Sequence, residues 1–90
     1  MALNAKERQH LKARAHALKP VIMVGNNGVT EAVMKEVDRA LNDHELIKIR
    51  VQSLDRDERK ALLEAIRVQA GAELVQAIGA IGVYFRKRQK

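Results

Sequence analysis

Gly25-Asn26-Asn27-Gly28 is the segment of this chain best suited to hold a ligand. It follows four consecutive apolar residues, Val21-Ile22-Met23-Val24, and precedes Val29-Thr30-Glu31, where a helix can start. Glycines let a backbone come close to a ligand, and asparagines tolerate left-handed conformations. The free N–H groups of the next helix favour an anion. A phosphate of an RNA backbone would suit such a loop, in the manner of the GXXG loop of KH domains. By itself the tetrapeptide favours a plainer reading, a strand-to-helix turn that merely needs glycine. A P-loop is excluded because no Gly-Lys-Ser/Thr follows, and the third glycine of a dinucleotide fingerprint is missing. A KH domain fits poorly, since its GXXG lies between two helices and this one follows a strand.

Positive charge is the second resource. Lys and Arg number 17 against 11 Asp and Glu, a net charge of +6 on 90 residues. That balance points toward a polyanion such as nucleic acid, or an acidic surface. The charges are segregated. Lys6, Arg8, Lys12, Arg14 and Lys19 precede Pro20 with only Glu7 against them, and Arg8, Lys12 and His16 line one helix flank. Lys48 and Arg50 share one face of an alternating segment, and Arg86-Lys87-Arg88-Gln89-Lys90 closes the chain. Acidic residues gather instead at Glu31, Glu36, Asp38 and Asp43. From Asp55 to Arg67 the charges balance, as helix-surface pairs do. A solvated surface is the better reading of any one of these cations; it is the segregation of the set that points to a partner.

The inventory opposes catalysis. Ser53 and Thr30 are the only hydroxyl candidates besides Tyr84, and no nucleophile-elbow glycines surround Ser53. His10 and His16 fall on different sides of the first helix, and His44 between Asp43 and Glu45 is a weak ligand set. No metal, no cofactor and no enzyme activity are expected. The absence of cysteine excludes disulfides and thiol chemistry. The apolar runs are too short to span a membrane, and residues 1–5 lack a signal core, so the default location is the cytoplasm.

Seven elements must position these groups. Asn4 with Glu7 forms a capping box, and Leu11, Ala15 and Leu18 give a narrow apolar stripe to about residues 17–19. Residues 21–24 read as a strand covered on both faces, or a central one. Thr30 caps a second helix running to about Asn42. Residues 46–51 alternate, with Ile47, Ile49 and Val51 inward and a basic outer face. Asp55 starts a third helix, which Gly71 ends. Residues 74–78 and 83–85 form a closing hairpin around Gly79 and Gly82. Tyr84 and Phe85, the only aromatics, point to opposite faces, one into the core and one partly exposed. An RRM would need several stacking aromatics on its sheet. The order is α-β-α-β-α-β-β with a mixed sheet, an α/β domain.

The run from Lys6-Glu7-Arg8 through Leu18-Lys19-Pro20-Val21 to Gly25-Asn26-Asn27-Gly28-Val29-Thr30, then His44-Glu45-Leu46-Ile47-Lys48, closely resembles the bacterial YhbY family. These are stand-alone CRM domains. Gly71 to Gly79 and Val83-Tyr84-Phe85-Arg86 are similar as well, whereas Ile81-Gly82 departs from the strand-like pair expected there. The resemblance implies a mixed four-stranded sheet packed with helices, like the C-terminal domain of translation initiation factor three. It also implies RNA binding and association with precursors of the large ribosomal subunit.

On that basis residues 1–86 are expected to form a single CRM-like RNA-binding domain, monomeric, with a frayed basic tail at 87–90. Gly25, Asn26, Asn27 and Gly28 would face ribosomal RNA, with Arg8, Lys12, Lys19, Lys48 and Arg50 supplying charge. The rival is a protein-interaction module on the ribosome, whose signature, an exposed apolar patch, is not legible in the sequence. Duplex DNA is a further possible partner for so basic a chain.

Overall fold

The computed structural model describes residues 3–53 and 55–88. The elements are α1 (Ala5–Ala15), β1 (Pro20–Val24), α2 (Glu31–His44), β2 (Leu46–Val51), α3 (Arg56–Ala70), β3 (Glu73–Ile78) and β4 (Ile81–Phe85). The four strands form one mixed sheet in the order β1-β2-β4-β3. β1 runs parallel to β2, and β4 pairs antiparallel with both β2 and β3. The α/β class and the element order follow the sequence reading.

Local chemistry sets the helix limits. The Asn4 carboxamide accepts from Glu7 N at 2.7 Å while Glu7 Oε1 accepts from Asn4 N at 3.2 Å, a reciprocal box. Thr30 Oγ1 accepts from Val33 N, and Asp55 Oδ1 accepts from Asp57 N and Glu58 N. Past Ala15 the first helix tightens: Ala17 N donates to Arg14 O and Leu18 N to Ala15 O. The second helix runs on to His44 and is closed by Glu45 at φ 63°, a positive φ uncommon for a residue with a side chain. Gly71 closes α3 at φ 62°, where glycine carries no such penalty.

The two faces of the sheet are covered unequally. Helices α2 and α3 lie on one, enclosing Ile22, Val24, Ile47, Ile49, Val51 and Tyr84 with Val37, Leu41, Leu63 and Ile66. Helix α1 lies on the other and covers only one end of it, burying Leu46, Val75 and Val83 under Leu11 and Ala15. The apolar run of β1 therefore has a different explanation from the one its composition suggested. β1 is an edge strand, not a central one, and is not covered on both faces. Ile22 and Val24 are buried, but Val21 and Met23 point the other way and are each 54% exposed, because α1 ends before reaching them.

Ile81 and Gly82 belong to β4, and a two-residue turn at Gly79-Ala80 joins it to β3. The glycine is a packing requirement. A Cβ at position 82 would stand 2.7 Å from Tyr84 Cε2 and 2.8 Å from Leu63 Cδ2. Tyr84 lies wholly in the core, its hydroxyl donating to Leu63 O at 2.7 Å, and burial pushes the phenol's pKa up. The unusual Ile81-Gly82 pair is thus what lets α3 settle on β4.

Two arginines after β4 are held by the fold. Arg86 Nη1 donates to Asp38 Oδ1 at 2.6 Å and to Ala70 O at 2.7 Å, while its Nη2 reaches Asp38 O and Asn42 Oδ1. Arg88 donates from Nε to Asn42 O and from Nη2 to Asp43 O, and its backbone N–H donates to Glu45 Oε2. Both guanidinium groups thus sit at the C-terminal end of α2, where the helix dipole favours a cation. Residues 89–90 of the tail expected to fray lie outside the described residues.

Candidate nucleic-acid interface

The Gly25–Gly28 segment forms a turn at the carboxyl end of β1. Gly28 N donates to Gly25 O at 3.0 Å, and Gly28 adopts φ +73°, so glycine is required there for conformation. That bond occupies the Gly28 N–H. The donors left facing out belong to Asn26 and Asn27, which are exposed and have no hydrogen-bond partner among the described residues. The turn therefore offers two backbone N–H groups and two carboxamides. Its inner side is fixed: Gln52 N donates to Val24 O at 2.8 Å, and the Gly25 Cα faces Gln52 Oε1.

Arg50 comes to the same place. It is opposite Met23 in the β1–β2 register, and with Asn26, Gln52, Ser53 and Ala80 it lines a depression of about 370 Å³. The Arg50 side chain is exposed and makes no hydrogen bond or ion pair among the described residues. Asn26 and Arg50 are the part of the sequence-derived set that the fold brings directly together.

The other cations are arranged differently. Arg8 Nη1 donates to Leu74 O at 2.9 Å and to Val75 O at 3.0 Å, where β3 carries a register irregularity. Lys48 Nζ donates to Leu18 O at 3.1 Å and so tethers the segment between α1 and β1. Both keep their charge, since a carbonyl neutralises nothing, but both also hold the fold. Lys19 lies before β1 with Arg14, Val21 and His44, a strand's length of roughly 17 Å from the Gly25–Gly28 turn. Lys12 is half-buried on α1. Glu7, His10 and Arg14 turn one flank of α1 toward Glu45, Glu73 and Phe85, around a depression of about 560 Å³. Helical spacing puts Arg8 and Lys12 on the opposite flank, which faces the uncovered part of the sheet.

That uncovered part is the region sequence reasoning missed. In strand order, Met23, Arg50, Ile81 and Ile78 occupy one row across all four strands. Ile78 is 60% exposed. The apolar patch thus exists, and its only sequence signal is the unbroken apolar run of β1, which makes both faces of that strand apolar. Placing it needed the strand order, which brings residues 23, 50, 81 and 78 side by side. Phe85, the half-exposed aromatic, packs under α1 instead, away from this row.

Comparison with known proteins agrees with this architecture. Residues 3–86 match the CRS1 / YhbY (CRM) domain family. The chain belongs to that family. It is 46% identical over its whole length to a Pseudomonas aeruginosa protein named "Probable RNA-binding protein", covering 86% of that protein. It is 44% identical to a Haemophilus influenzae "RNA-binding protein", across 98% of this chain and 89% of that one. The solution structure of a Staphylococcus aureus protein, described there as a candidate RNA-binding protein, superposes with a TM-score of 0.84 at 32% identity, covering 99% of this chain and 93% of that one. The family and the mixed-sheet fold are those the sequence resemblance implied.

Proposed function

We propose that this CRM domain is a non-catalytic RNA-binding module that associates with precursors of the large ribosomal subunit and takes an RNA backbone phosphate at the Asn26-Asn27 turn. The observation that carries the reading is the pairing, at one end of the sheet, of two outward-facing asparagines with an unpartnered Arg50. Backbone and carboxamide N–H groups bind a phosphate oxygen, while a guanidinium adds charge and paired donors. Membership of a family whose members are named as RNA-binding proteins supports RNA over other polyanions. The ribosomal precursor as destination rests on the family resemblance, as does the monomeric state, while the cytoplasmic location is the expectation drawn from composition. Lys12, Lys19, Lys48 and Arg8 extend positive charge along the α1 side of the same sheet face.

The decisive test introduces negative charge at the turn. Asn26→Asp with Asn27→Asp changes no packed atom and is the cleaner charge test, whereas Gly28→Asp adds a carboxylate 3.7 Å (Cβ) from Leu62 Cδ2 and also strains the turn at its positive φ. Each variant should lose at least about tenfold in affinity for a ribosomal RNA fragment, since charged hydrogen bonds are worth about 1.5–3 kcal/mol. Circular dichroism should show the fold retained, and less of the protein should sediment with large-subunit precursors. A folded variant with unchanged affinity removes the turn from the interface. The purified chain should leave nucleotides and RNA unhydrolysed; turnover that disappears on changing His44 or Asp43 would overturn the non-enzymatic reading.

A further inference from the structure

We infer that the open half of the sheet is a platform for an unpaired RNA base, so that this domain selects single-stranded over duplex RNA. The inference rests on the RNA-binding reading above and goes beyond phosphate contact. Met23, Arg50, Ile81 and Ile78 lie in one row across β1, β2, β4 and β3, about 14 Å from end to end at the usual strand spacing. The row begins beside the Asn26 turn, because Met23 precedes that turn by three residues and Arg50 lines a common depression with Asn26. Along the same face lie Lys48, opposite Val83, and the Arg8–Lys12 flank of α1.

The chemistry of this face is apolar and cationic together. Each acidic residue of the chain is accounted for elsewhere. Glu7, Glu45 and Glu73 lie around the depression on the far flank of α1. The other eight, from Glu31 to Asp43 and from Asp55 to Glu64, belong to α2, α3 or the Asp55 cap. Such a surface complements a ligand that is polyanionic and also presents flat apolar faces. Single-stranded RNA is that ligand, because its bases can be splayed out and stacked on a guanidinium plane. A duplex hides those faces and offers only phosphates and hydroxyls, to which Met23, Ile78 and Ile81 contribute nothing. Arg50 is the stacking plane. Cross-strand neighbours on one face stand about 5 Å apart, so Met23 and Ile81 flank it on either side. The phosphate of the same or the adjoining nucleotide then reaches the Asn26-Asn27 turn.

The test compares two RNAs of one large-subunit ribosomal sequence, single-stranded or annealed to its complement, binding to the full chain. The wild-type protein should hold the single strand at least about fivefold tighter. Arg50→Lys keeps the charge and removes the plane. Met23→Ser with Ile78→Ser removes exposed apolar atoms and the thioether that accepts from Gln52 Nε2, but no charge. Both variants should lose about fivefold on the single strand, and Met23→Ser with Ile78→Ser should leave the salt slope, the duplex affinity and the urea midpoint unchanged. Duplex binding equal to or tighter than single-strand binding, or equal losses on both RNAs from Met23→Ser with Ile78→Ser, overturns the base platform and leaves phosphate binding at the turn standing. Unchanged RNA affinity with lost sedimentation on ribosomal precursors also overturns it, and assigns the face to a protein partner. Failure of the wild-type chain to bind either RNA refutes the platform and the RNA-binding reading together.

Discussion

On the face covered by α2 and α3, β1 contributes Ile22 and Val24, both buried; one residue along, Met23 stands 54% exposed on the opposite face. The same contrast runs across the sheet. Ile49 is sealed in the core while the side chain of Arg50, its neighbour in sequence, is exposed and has no partner among the described residues. Gly82 is glycine because nothing larger fits beneath α3, while Ile81 beside it lies half-exposed. One strand thus meets two selection rules, close packing on one side and ligand chemistry on the other. Substitutions should sort the same way, with sealed-face changes read in stability and open-face changes read in RNA affinity.

The largest expected effect is on the sealed face. Gly82→Val should cost about 3 kcal/mol in urea unfolding, because its Cβ must displace a tyrosine ring and a leucine, whereas Ile78→Ser should change stability by less than about 0.5 kcal/mol. Comparable losses at both positions would erase the distinction between the faces. Next comes Arg86→Ala, which removes bonds to Asp38, Asn42 and the Ala70 carbonyl and should cost about 2 kcal/mol. RNA affinity of the folded fraction should not change, since that cation points away from the open face.

Tyr84→Phe should cost about 1 kcal/mol by removing the bond to Leu63 O. The same phenol gives a pH signature. Burial raises its pKa in the folded protein, so the unfolded chain ionises first, near its ordinary value of about 10. The tyrosine's contribution is complete below that pH and declines as pH rises above it. Urea midpoints measured across that range should fall more steeply for the wild-type chain than for Tyr84→Phe; parallel curves would mean the phenol is not desolvated.

The smallest effect sharpens the open face. Log affinity for RNA should fall linearly with log salt, at a slope equal to roughly three to five phosphate contacts, and Lys12→Ala or Arg50→Ala should each reduce it by about 0.7 for a single strand. Arg59→Ala and Lys60→Ala, on the charge-balanced third helix, should leave it in place. Arg59 already donates to Ser53 O. Equal changes at all four positions would mean diffuse attraction by net charge instead of a directed face.

What could be read from the sequence was mostly local. Asn4, Thr30, Asp55 and Gly71 act within three or four residues of themselves, so their types mark the helix ends. The alternation of Ile47, Ile49 and Val51 likewise fixes which side of β2 is core. The position of β1 was not legible, because four apolar residues look alike whether a strand is central or at an edge with one face left open. Arg86 and Arg88 read as a basic tail because their partners in α2 lie more than 40 residues away in sequence. The Gly25–Gly28 turn was visible from composition. Its alignment with Met23, Ile81 and Ile78 depended on pairings among strands far apart in the chain.

The strand order also governs how the molecule can be made. β4 is the last strand in sequence, yet it sits between β2 and β3. During synthesis, β1 can pair with β2 as soon as α2 has formed, but β3 emerges with an empty slot where its neighbour belongs. A nascent chain halted after residue 80 lacks Tyr84 and Val83 and leaves two strand edges facing a gap, the arrangement most exposed to mispairing. Closure must await the final strand, after which β4 joins both halves of the sheet at once. Chains tethered to the ribosome through added C-terminal linkers of increasing length should therefore resist protease abruptly once residue 85 clears the exit tunnel, with little gain from the forty residues before it.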